Sequence, residues 1–533
     1  MRATDRKALT YAAVIALGGF LFGFDAAVIS GVVGFVTPEF GLDDWQIGLV
    51  VGAPTLAAIF AALSVGPAAD VLGRKRVMLA LAFLYALSAT ASAFAPDVAT
   101  LIAARFVGGL AFGSLMLAPI YIAELSPARL RGRMVSVNQL NIVIGFSAAY
   151  FANYFLLQAS QSGEPWVQAI GLDRYAWRWM LGIEVLPAVA WLVSMVYVPE
   201  SPRWLMLRGR ENRARGILER ITPLDRIDTK LSEIAATVAE APERLTARIR
   251  RVFRPELRMI LVIGVVVGIS QQISGINSVY FYAPTIFEQS GVGTNAAFAQ
   301  ATWIGIINVI FTVIAMLTID RFGRRPLMIL GLAGVAISMS ISAYGFHQAR
   351  YELPVEAAAE LGVQLGLDEL GQIAGIRFDN DLEFKGAVAA AIGETALTAH
   401  EAELIGAAIQ MNPRIVLVGI LGFVASFAIS LGPVMWVLFS EIFPNAIRGV
   451  CMSVMGVINS GVSFLVQFIF PWELSNFGTA STFLLYAIAA GIFLVLVAWL
   501  LPETRGRTLE ELEGELTALR RPNASRTQAS GNG

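Results

Sequence analysis

Residues 8–36 read ALTYAAVIALGGFLFGFDAAVISGVVGFV, and this stretch decides the fold. Its roughly 29 residues carry one charge, that of Asp25, and at about 1.5 Å per helical residue they can cross a hydrocarbon core of about 30 Å. A carboxylate within such a segment costs on the order of 3 kcal/mol, so it marks a candidate functional site that needs a partner. The alternative is an acid near a helix end that reaches water.

The composition is typical of a polytopic membrane protein. Of 533 residues, 56% are hydrophobic and 15% are charged, and the mean hydropathy is +0.65. The net charge of -1 gives no bulk attraction to nucleic acid. The one cysteine, Cys451, excludes an internal disulfide, and two histidines leave little material for a metal centre. We therefore expect neither a metal nor a cofactor.

Twelve long apolar runs lie in two groups of six, on either side of a polar stretch at about 200–257. They predict an all-α polytopic membrane protein with twelve transmembrane helices, and an even number puts both termini on one side. The runs fall near 9–33, 47–67, 77–95, 99–122, 134–156, 178–198, 258–283, 298–319, 327–346, 414–439, 450–471 and 480–501.

Basic residues predict the orientation. The short loops that face the termini carry ten Lys and Arg residues, whereas the opposite loops carry Arg174 and little else. By the positive-inside rule, both termini are cytoplasmic. The predicted domains are an N-terminal bundle (1–199), a cytoplasmic linker with short helices (200–257), a C-terminal bundle (258–501) and a cytoplasmic tail (502–533). The Arg-rich linker forms amphipathic helices or, alternatively, a lipid-binding patch.

Three short motifs occur twice in the same order, which predicts a transporter built from two pseudo-symmetric six-helix bundles. The pairs are ADVLGRKR at 69–76 with IDRFGRRP at 319–326, AELSPARLRG at 123–132 with SEIFPNAIRG at 440–449, and PESPR at 199–203 with PETRG at 502–506. The first two motifs stand about 67 residues further apart in the second half. An outer-face insertion at about 347–412 accounts for the difference, as a partly helical cap or a mobile loop.

Several motifs together carry a resemblance to a known family. They are GFD at 23–25, RFVGG at 105–109, PIYIAE at 119–124, PESPRWL at 199–205, QQISGIN at 271–277, GPVMW at 432–436 and PETRGRT at 502–508. In this order they resemble the sugar porters of the major facilitator superfamily, of the bacterial sugar–proton symporter type, over nearly the whole chain. The resemblance implies the major facilitator fold, a sugar site between the two bundles near the midplane, and alternating access by rocking.

Asp25 and Arg105 are predicted to form an ion pair. Asp25 lies about 16 residues, or roughly 24 Å, into the first span from the cytoplasmic side, and Arg105 about six residues, or roughly 9 Å, into the fourth from the outer side. Both depths fall in the outer half, where pairing offsets the cost of burial. The pair is either a static bridge or a proton switch. The resemblance implies the switch, because proton-coupled sugar porters carry an acid at this position.

Polar side chains within apolar spans form the candidate sugar site. Amides donate and accept hydrogen bonds as sugar hydroxyls require, and an indole offers a flat apolar face with one donor. The residues that the resemblance implies are Gln139, Gln271, Gln272, Asn277, Trp436 and Asn459. Interhelical hydrogen bonding is the alternative role for each. Asn459 stands where bacterial members carry Gln or Asn, and Ser463 where Asn is common, so the sugar is not identified.

A set of charges is predicted at the cytoplasmic helix ends. It comprises Asp70, Arg74, Glu124, Arg131, Glu184, Asp320, Arg324, Glu441 and Arg448. The resemblance implies that these groups pair across the two halves and close the cytoplasmic side of the outward-facing state.

These observations predict a proton-coupled symporter that imports a monosaccharide, hexose or pentose. We expect it to work as a monomer in the lipid bilayer of the cytoplasmic membrane, without a nucleic-acid partner. Catalysis is not expected, since no nucleophile–base set is evident. The alternatives are a passive sugar uniporter, a polyol–proton symporter and a sugar sensor that does not transport.

Overall fold

A computed structural model describes residues 3–127, 130–222, 224–239, 250, 252, 254–444 and 447–504. Eleven of its described helices are long and apolar enough to cross a membrane. The last of them, Arg448–Leu500, is broken at Gly478, where φ is 75°. Because that break separates two spans, the described residues form twelve, and the predicted number is confirmed.

The spans are numbered 1 to 12 in chain order. Spans 1 to 6 comprise Ala3–Val28, Asp44–Leu72, Arg74–Ala93, the pair Val98–Ala111 and Ser114–Leu125, Arg131–Ser160, and the pair Ala176–Gly182 and Val185–Tyr197. Spans 7 to 10 comprise the pair Arg258–Ile273 and Ile276–Phe281, Thr294–Phe322, Arg324–His347, and the pair Pro413–Ile429 and Leu431–Ile442. Spans 11 and 12 lie on either side of Gly478. Short helices extend span 1 (Ile29–Gly31 and Val33–Phe40) and span 7 (Ala283–Glu288), and Pro165–Ala169 lies between spans 5 and 6.

Two polar segments lie at opposite ends of the spans. The linker after span 6 has helices Pro202–Leu207, Glu211–Ile221, Leu224–Arg226, Ile227–Ala239 and Pro255–Leu257. Residues 348–412, called the cap below, form helices Val355–Leu365, Asp368–Gln372, Asp381–Ile392 and Glu394–Ala408. The cap also holds an antiparallel sheet of order β2-β1-β3, with strands β1 (Arg350–Glu352), β2 (Arg377–Phe378) and β3 (Ile409–Gln410). Its buried apolar residues form a core of their own. The end with the linker is called the terminal end, and the other the cap end.

The internal repeat is visible in the turns at the terminal end. In the first half, the Glu200 carboxylate accepts hydrogen bonds from the backbone N–H groups of Arg74 (3.0 Å) and Lys75 (3.2 Å). In the second half, Glu503 accepts from Arg324 (3.1 Å) and Arg325 (3.2 Å). In each half a glutamate therefore satisfies the free N–H groups at the start of a span, where a helix dipole also favours a negative charge.

The two halves pack together at the cap end. The largest core cluster contains residues of both halves there, whereas the terminal-end part of the first half has a separate core with the linker helices. Span 2 packs closely against span 11, because a Cβ atom on Gly48 would lie 2.1 Å from the carbonyl oxygen of Phe468. The ring of Trp45 stacks on that of Trp472 with 6.0 Å between centroids. The described side-chain hydrogen bonds between the halves all lie toward the cap end. The structure is closed at that end.

Candidate functional site

Asp25 of span 1 and Arg105 of span 4 form a buried ion pair. Nη1 of Arg105 lies 2.7 Å from Oδ1 of Asp25, and both residues are 2% exposed. Among the described residues, Oδ2 of Asp25 and Nε of Arg105 have no hydrogen-bond partner. The structure thus brings together the two residues that the sequence pairs, and it leaves one carboxylate oxygen free to take a proton.

Gly108 makes room beside this carboxylate. A Cβ atom at Gly108 would lie 3.1 Å from Oδ2 of Asp25 and 2.4 Å from Oγ of Ser88. Spans 3 and 4 therefore pack closely around the carboxylate of Asp25, and little free space is left beside its Oδ2 atom.

A second buried acid, Glu184 of span 6, lies near the pair. It is 3% exposed, and it interacts electrostatically with both Asp25 and Arg105. Its Oε1 atom has no hydrogen-bond partner in the described part of the chain. The prediction that Glu184 lies at the cytoplasmic helix end is wrong. Span 6 starts at Ala176 at the cap end and reaches Glu184 after about eight residues, which is about 12 Å.

Four predicted sugar-site amides form one hydrogen-bonded network in the second half. Oε1 of Gln271 accepts from Nε2 of Gln272 (3.2 Å) and from Nδ2 of Asn459 (2.9 Å). Nε2 of Gln272 also donates to Oδ1 of Asn459 (3.0 Å). Nδ2 of Asn277 donates to Oε1 of Gln272 (2.8 Å). Each amide is hydrogen-bonded to another amide of the network. A ligand that offers both donors and acceptors can therefore take the place of the amide to which each is bonded.

The break in span 7 brings these amides together. Gly275 has a φ of 84°, which is favourable for glycine, and it separates the helix that carries Gln271 and Gln272 from the helix that carries Asn277. A Cβ atom at Gly275 would lie 3.0 Å from the ring of Tyr486. A discontinuous span is tolerated where its backbone is packed against protein.

Gln139 and Trp436 stand apart from the network. Gln139 of span 5 is partly buried, and it makes no hydrogen bond that involves the described residues. Trp436 of span 10 is 39% exposed, and the nearest ring to its indole is that of Phe439, 5.9 Å away in an edge-on arrangement. Neither side chain takes part in the amide network of the described residues, so their role in sugar binding stays a prediction.

Three further polar residues extend the network. Nδ2 of Asn277 donates to Oγ of Ser463 (2.6 Å), and Nε2 of Gln467 donates to the same oxygen (2.6 Å). Oγ1 of Thr55, in span 2 of the other half, donates to Oε1 of Gln467 (3.0 Å). Neither Thr55 nor Gln467 was predicted. The four-residue spacing from Asn459 to Ser463 and Gln467 is the signal that could have identified Gln467.

The described charges at the terminal end pair within their own halves. Arg74 lies 3.2 Å from Glu124 and 2.9 Å from Asp70. In the second half, Arg324 lies 2.7 Å from Glu441. Pairing across the halves is a prediction for another conformation, since this structure is closed at the opposite end.

The remaining members of the predicted charge set are less fully described. Nε of Arg448 donates to the carbonyl oxygen of Phe443 (3.2 Å). The side chains of Arg131 and Asp320 lie outside the described part of the structure.

Comparisons with known proteins agree with this arrangement. The model of a family described as "Sugar (and other) transporter" matches residues 11–356 and 382–516. The arabinose-proton symporter of Bacillus subtilis is 33% identical over 93% of this chain and 92% of its own. The D-xylose-proton symporter of Escherichia coli is 32% identical over 97% of this chain and 96% of its own. The solved inward-open structure of the xylose transporter XylE from E. coli has a TM-score of 0.73 and 30% identity, and it covers 95% of this chain and 99% of that one.

Proposed function

Since the chain belongs to the family of sugar (and other) transporters, we propose that it is a proton-coupled symporter that imports a monosaccharide, hexose or pentose, by alternating access. The observation that carries the proposal is that the chain contains both a buried ion pair, between Asp25 and Arg105, and a buried network of amide side chains. Two relatives that align over more than nine tenths of the chain are named as proton symporters of the pentoses arabinose and xylose.

Asp25 is the proposed proton carrier, and Arg105 is the group that responds to it. Protonation of the carboxylate removes the negative charge that balances the guanidinium 2.7 Å away. A buried arginine without its counter-ion is costly, so the bundle then favours a conformation in which Arg105 finds another partner or water. Proton binding on one side and release on the other thus changes the preferred state, which coupling requires.

Gln139, Gln271, Gln272, Asn277, Trp436 and Asn459 are the proposed sugar contacts. The alternating hydroxyls of a sugar can replace the hydrogen bonds that the amides of spans 7 and 11 make to one another. Trp436 supplies an apolar face for the sugar ring, and Gln139 contributes a donor and an acceptor from the other half. A ligand held by both halves can favour the state in which the halves close around it.

We place the protein in the cytoplasmic (inner) membrane as a functional monomer, with the terminal end in the cytoplasm and the cap outside. The excess of Lys and Arg in the loops at the terminal end supports this orientation. The structure then represents an inward-facing state. In the outward-facing state, we propose that the charge set around Arg74, Glu124, Arg324 and Glu441 forms pairs across the halves and closes the cytoplasmic side.

Uptake into proteoliposomes tests the proposal. The purified protein is reconstituted and offered radiolabelled D-xylose, L-arabinose, D-glucose and, as a polyol, D-sorbitol, with and without an acidic exterior. We expect one of the three sugars to accumulate above its external concentration only when the exterior is acidic, and a protonophore to abolish the accumulation. Counterflow without accumulation would indicate a uniporter, and accumulation of D-sorbitol alone a polyol symporter. Binding without any flux would indicate a sensor.

A further inference from the structure

Span 11 carries a row of polar residues that leads away from the amide network. Asn459, Ser463 and Gln467 stand four residues apart, so their side chains lie on one face of the helix about 6 Å from one another along its axis. They are 7%, 4% and 0% exposed, respectively. The row extends about 12 Å from the network toward the cap end, which is the outer end under the proposed function.

The row ends in a contact between the halves. Oγ1 of Thr55 donates to Oε1 of Gln467 (3.0 Å), while Nε2 of Gln467 donates to Oγ of Ser463 (2.6 Å). Ser463 also accepts from Asn277 (2.6 Å), which belongs to the proposed sugar site. A continuous chain of hydrogen bonds therefore joins that site to span 2 of the opposite half.

Closure of the outer end does not by itself require an amide at this position. On either side of Gln467, spans 2 and 11 pack closely without a side-chain hydrogen bond, with Gly52 against the ring of Phe464 and Gly48 against the backbone of Phe468. The hydrogen bonds of Gln467 to Thr55 and Ser463 offset the cost of burying its amide, and replacing such bonded groups by apolar side chains of the same shape is nearly neutral. Closure alone therefore does not account for the choice of an amide, and this directs attention to the other state, in which spans 2 and 11 are apart.

We propose that Gln467 forms an outer subsite for the incoming sugar, which Thr55 covers when the outer end closes. When the halves separate at the cap end, Oε1 of Gln467 loses the hydroxyl of Thr55 and faces the open cavity. A sugar hydroxyl supplies the same O–H donor to the same oxygen. On closure, Thr55 replaces the sugar hydroxyl, and the sugar moves inward toward Asn277 and Asn459. This inference rests on the proposed function and on its orientation.

An outer subsite should affect sugar binding from the outer side of the membrane more than binding from the cytoplasmic side, whereas a purely structural role should affect both. In the inward-facing structure Gln467 is fully buried under Thr55, so sugar that enters from the cytoplasm does not meet its free amide oxygen. Loss of the amide should therefore weaken entry from outside, and it should affect binding from inside no more than loss of the bond from Thr55 does. A residue that only held the outer end closed would change both directions, because it would shift the balance between the two states.

The test compares the KM for radiolabelled D-xylose, L-arabinose or D-glucose in right-side-out and inside-out membrane vesicles. For Gln467→Leu we expect KM to rise about tenfold in right-side-out vesicles, as for loss of one hydrogen bond. KM in inside-out vesicles should match that of Thr55→Val, which loses the same bond between the halves. If Gln467→Leu does not fold, Gln467→Met has the same length without the amide and takes its place.

Two matched variants separate the subsite from gate closure. Ser475→Ala removes another hydrogen bond between the halves, from Oγ of Ser475 to Oδ1 of Asp44 (3.0 Å), without touching the polar row. Thr55→Val removes the cover but leaves the amide of Gln467 for the sugar. Neither variant should raise KM in right-side-out vesicles.

Several outcomes would overturn the inference. An unchanged KM for Gln467→Leu in right-side-out vesicles excludes the subsite. An equal rise in KM in both vesicle types also excludes it, and so does a rise in KM that Ser475→Ala reproduces. In each of these cases the wild-type protein still transports, so the proposed function stands. A wild-type protein that moves none of the three sugars in either vesicle type overturns both proposals.

Discussion

Replacing Asp25 by asparagine should uncouple transport and destabilise the protein at the same time, and the two effects can be separated. Arg105 is 2% exposed, and in Asp25→Asn it loses the carboxylate that lies 2.7 Å away. Breaking a buried ion pair in this way costs about 3 to 5 kcal/mol, because it leaves an uncompensated charge. Arg105→Met leaves the carboxylate unpaired and should cost a similar amount. The double variant leaves neither charge buried, so it should recover most of the lost stability.

Coupling should not recover with stability. Each pH unit across the membrane is worth about 1.4 kcal/mol per proton, so one proton per sugar supports up to about tenfold accumulation. In Asp25→Asn no group of the pair binds and releases a proton, so the internal sugar should rise only to the external concentration. The double variant should behave in the same way, although it is more stable than either single variant. If the ion pair only stabilised the fold, the double variant should instead recover sugar accumulation together with stability.

The assay is accumulation of the transported sugar in proteoliposomes with the exterior one pH unit more acidic, alongside thermal unfolding of the same preparations. Glu473→Gln is the matched control. Glu473 is also an acid within a span, but its Oε2 atom accepts from the hydroxyl of Tyr486 (2.8 Å), not from an arginine. That variant should still accumulate sugar. If Asp25→Asn still accumulates sugar to an internal concentration above the external one, even to a smaller extent than the wild-type protein, the reasoning is refuted.

Three further predictions follow from single contacts. Asn459→Ala removes a hub of the amide network, and sugar binding measured by isothermal titration should weaken about five- to thirtyfold, with the fold retained. Gly323 has a φ of 87°, and the Cβ atom of Gly323→Ala would lie 2.7 Å from the carboxylate of Glu503, so this variant should lower the melting temperature. Gly449 has open space around it, so the control variant Gly449→Ala should leave the melting temperature unchanged. Burial, with the nearby charge of Glu401, raises the pKa of Glu288 at the cap end to about 7. Because that pKa is raised on folding, stability should decrease between about pH 4.5 and 7 and level off above, and Glu288→Gln should flatten a series of melting temperatures over that range.

Depth along a helix made the ion pair predictable from the chain alone. The rise per residue is fixed, so counting from the ends of spans 1 and 4 puts Asp25 and Arg105 at one level, where burial makes them seek each other. The amides of span 7 needed the family resemblance in addition, since a single glutamine in an apolar helix is equally consistent with a bond between helices. The same counting, applied to span 6, would have located Glu184 beside the pair.

Other features depend on contacts that no local pattern encodes. The strands of the cap have two or three residues each, which is too short for an alternating pattern. They exist because β1 pairs with segments about 25 and 60 residues further along the chain. The bond from Thr55 to Gln467 joins different halves across the closed cap end. A sequence records both residues but not the state in which they meet.

The contacts between the halves offer a way for the proposed proton site and the proposed sugar site to act together, although the two sites lie in different bundles. Span 1, which carries Asp25, packs so tightly on span 5 that a Cβ atom at Gly23 would lie 2.0 Å from the carbonyl oxygen of Ile142. Span 5 in turn reaches span 7, because the hydroxyl of Tyr150 donates to the carbonyl oxygen of Tyr280 (2.6 Å). Tyr280 stands three residues beyond Asn277, on the same short helix. The two-state element that both sites can bias is therefore the closure of the cap end itself. A proton that alters the position of span 1 and a sugar that alters that of span 7 act on one shared contact surface, and no separate pathway between the two sites is needed.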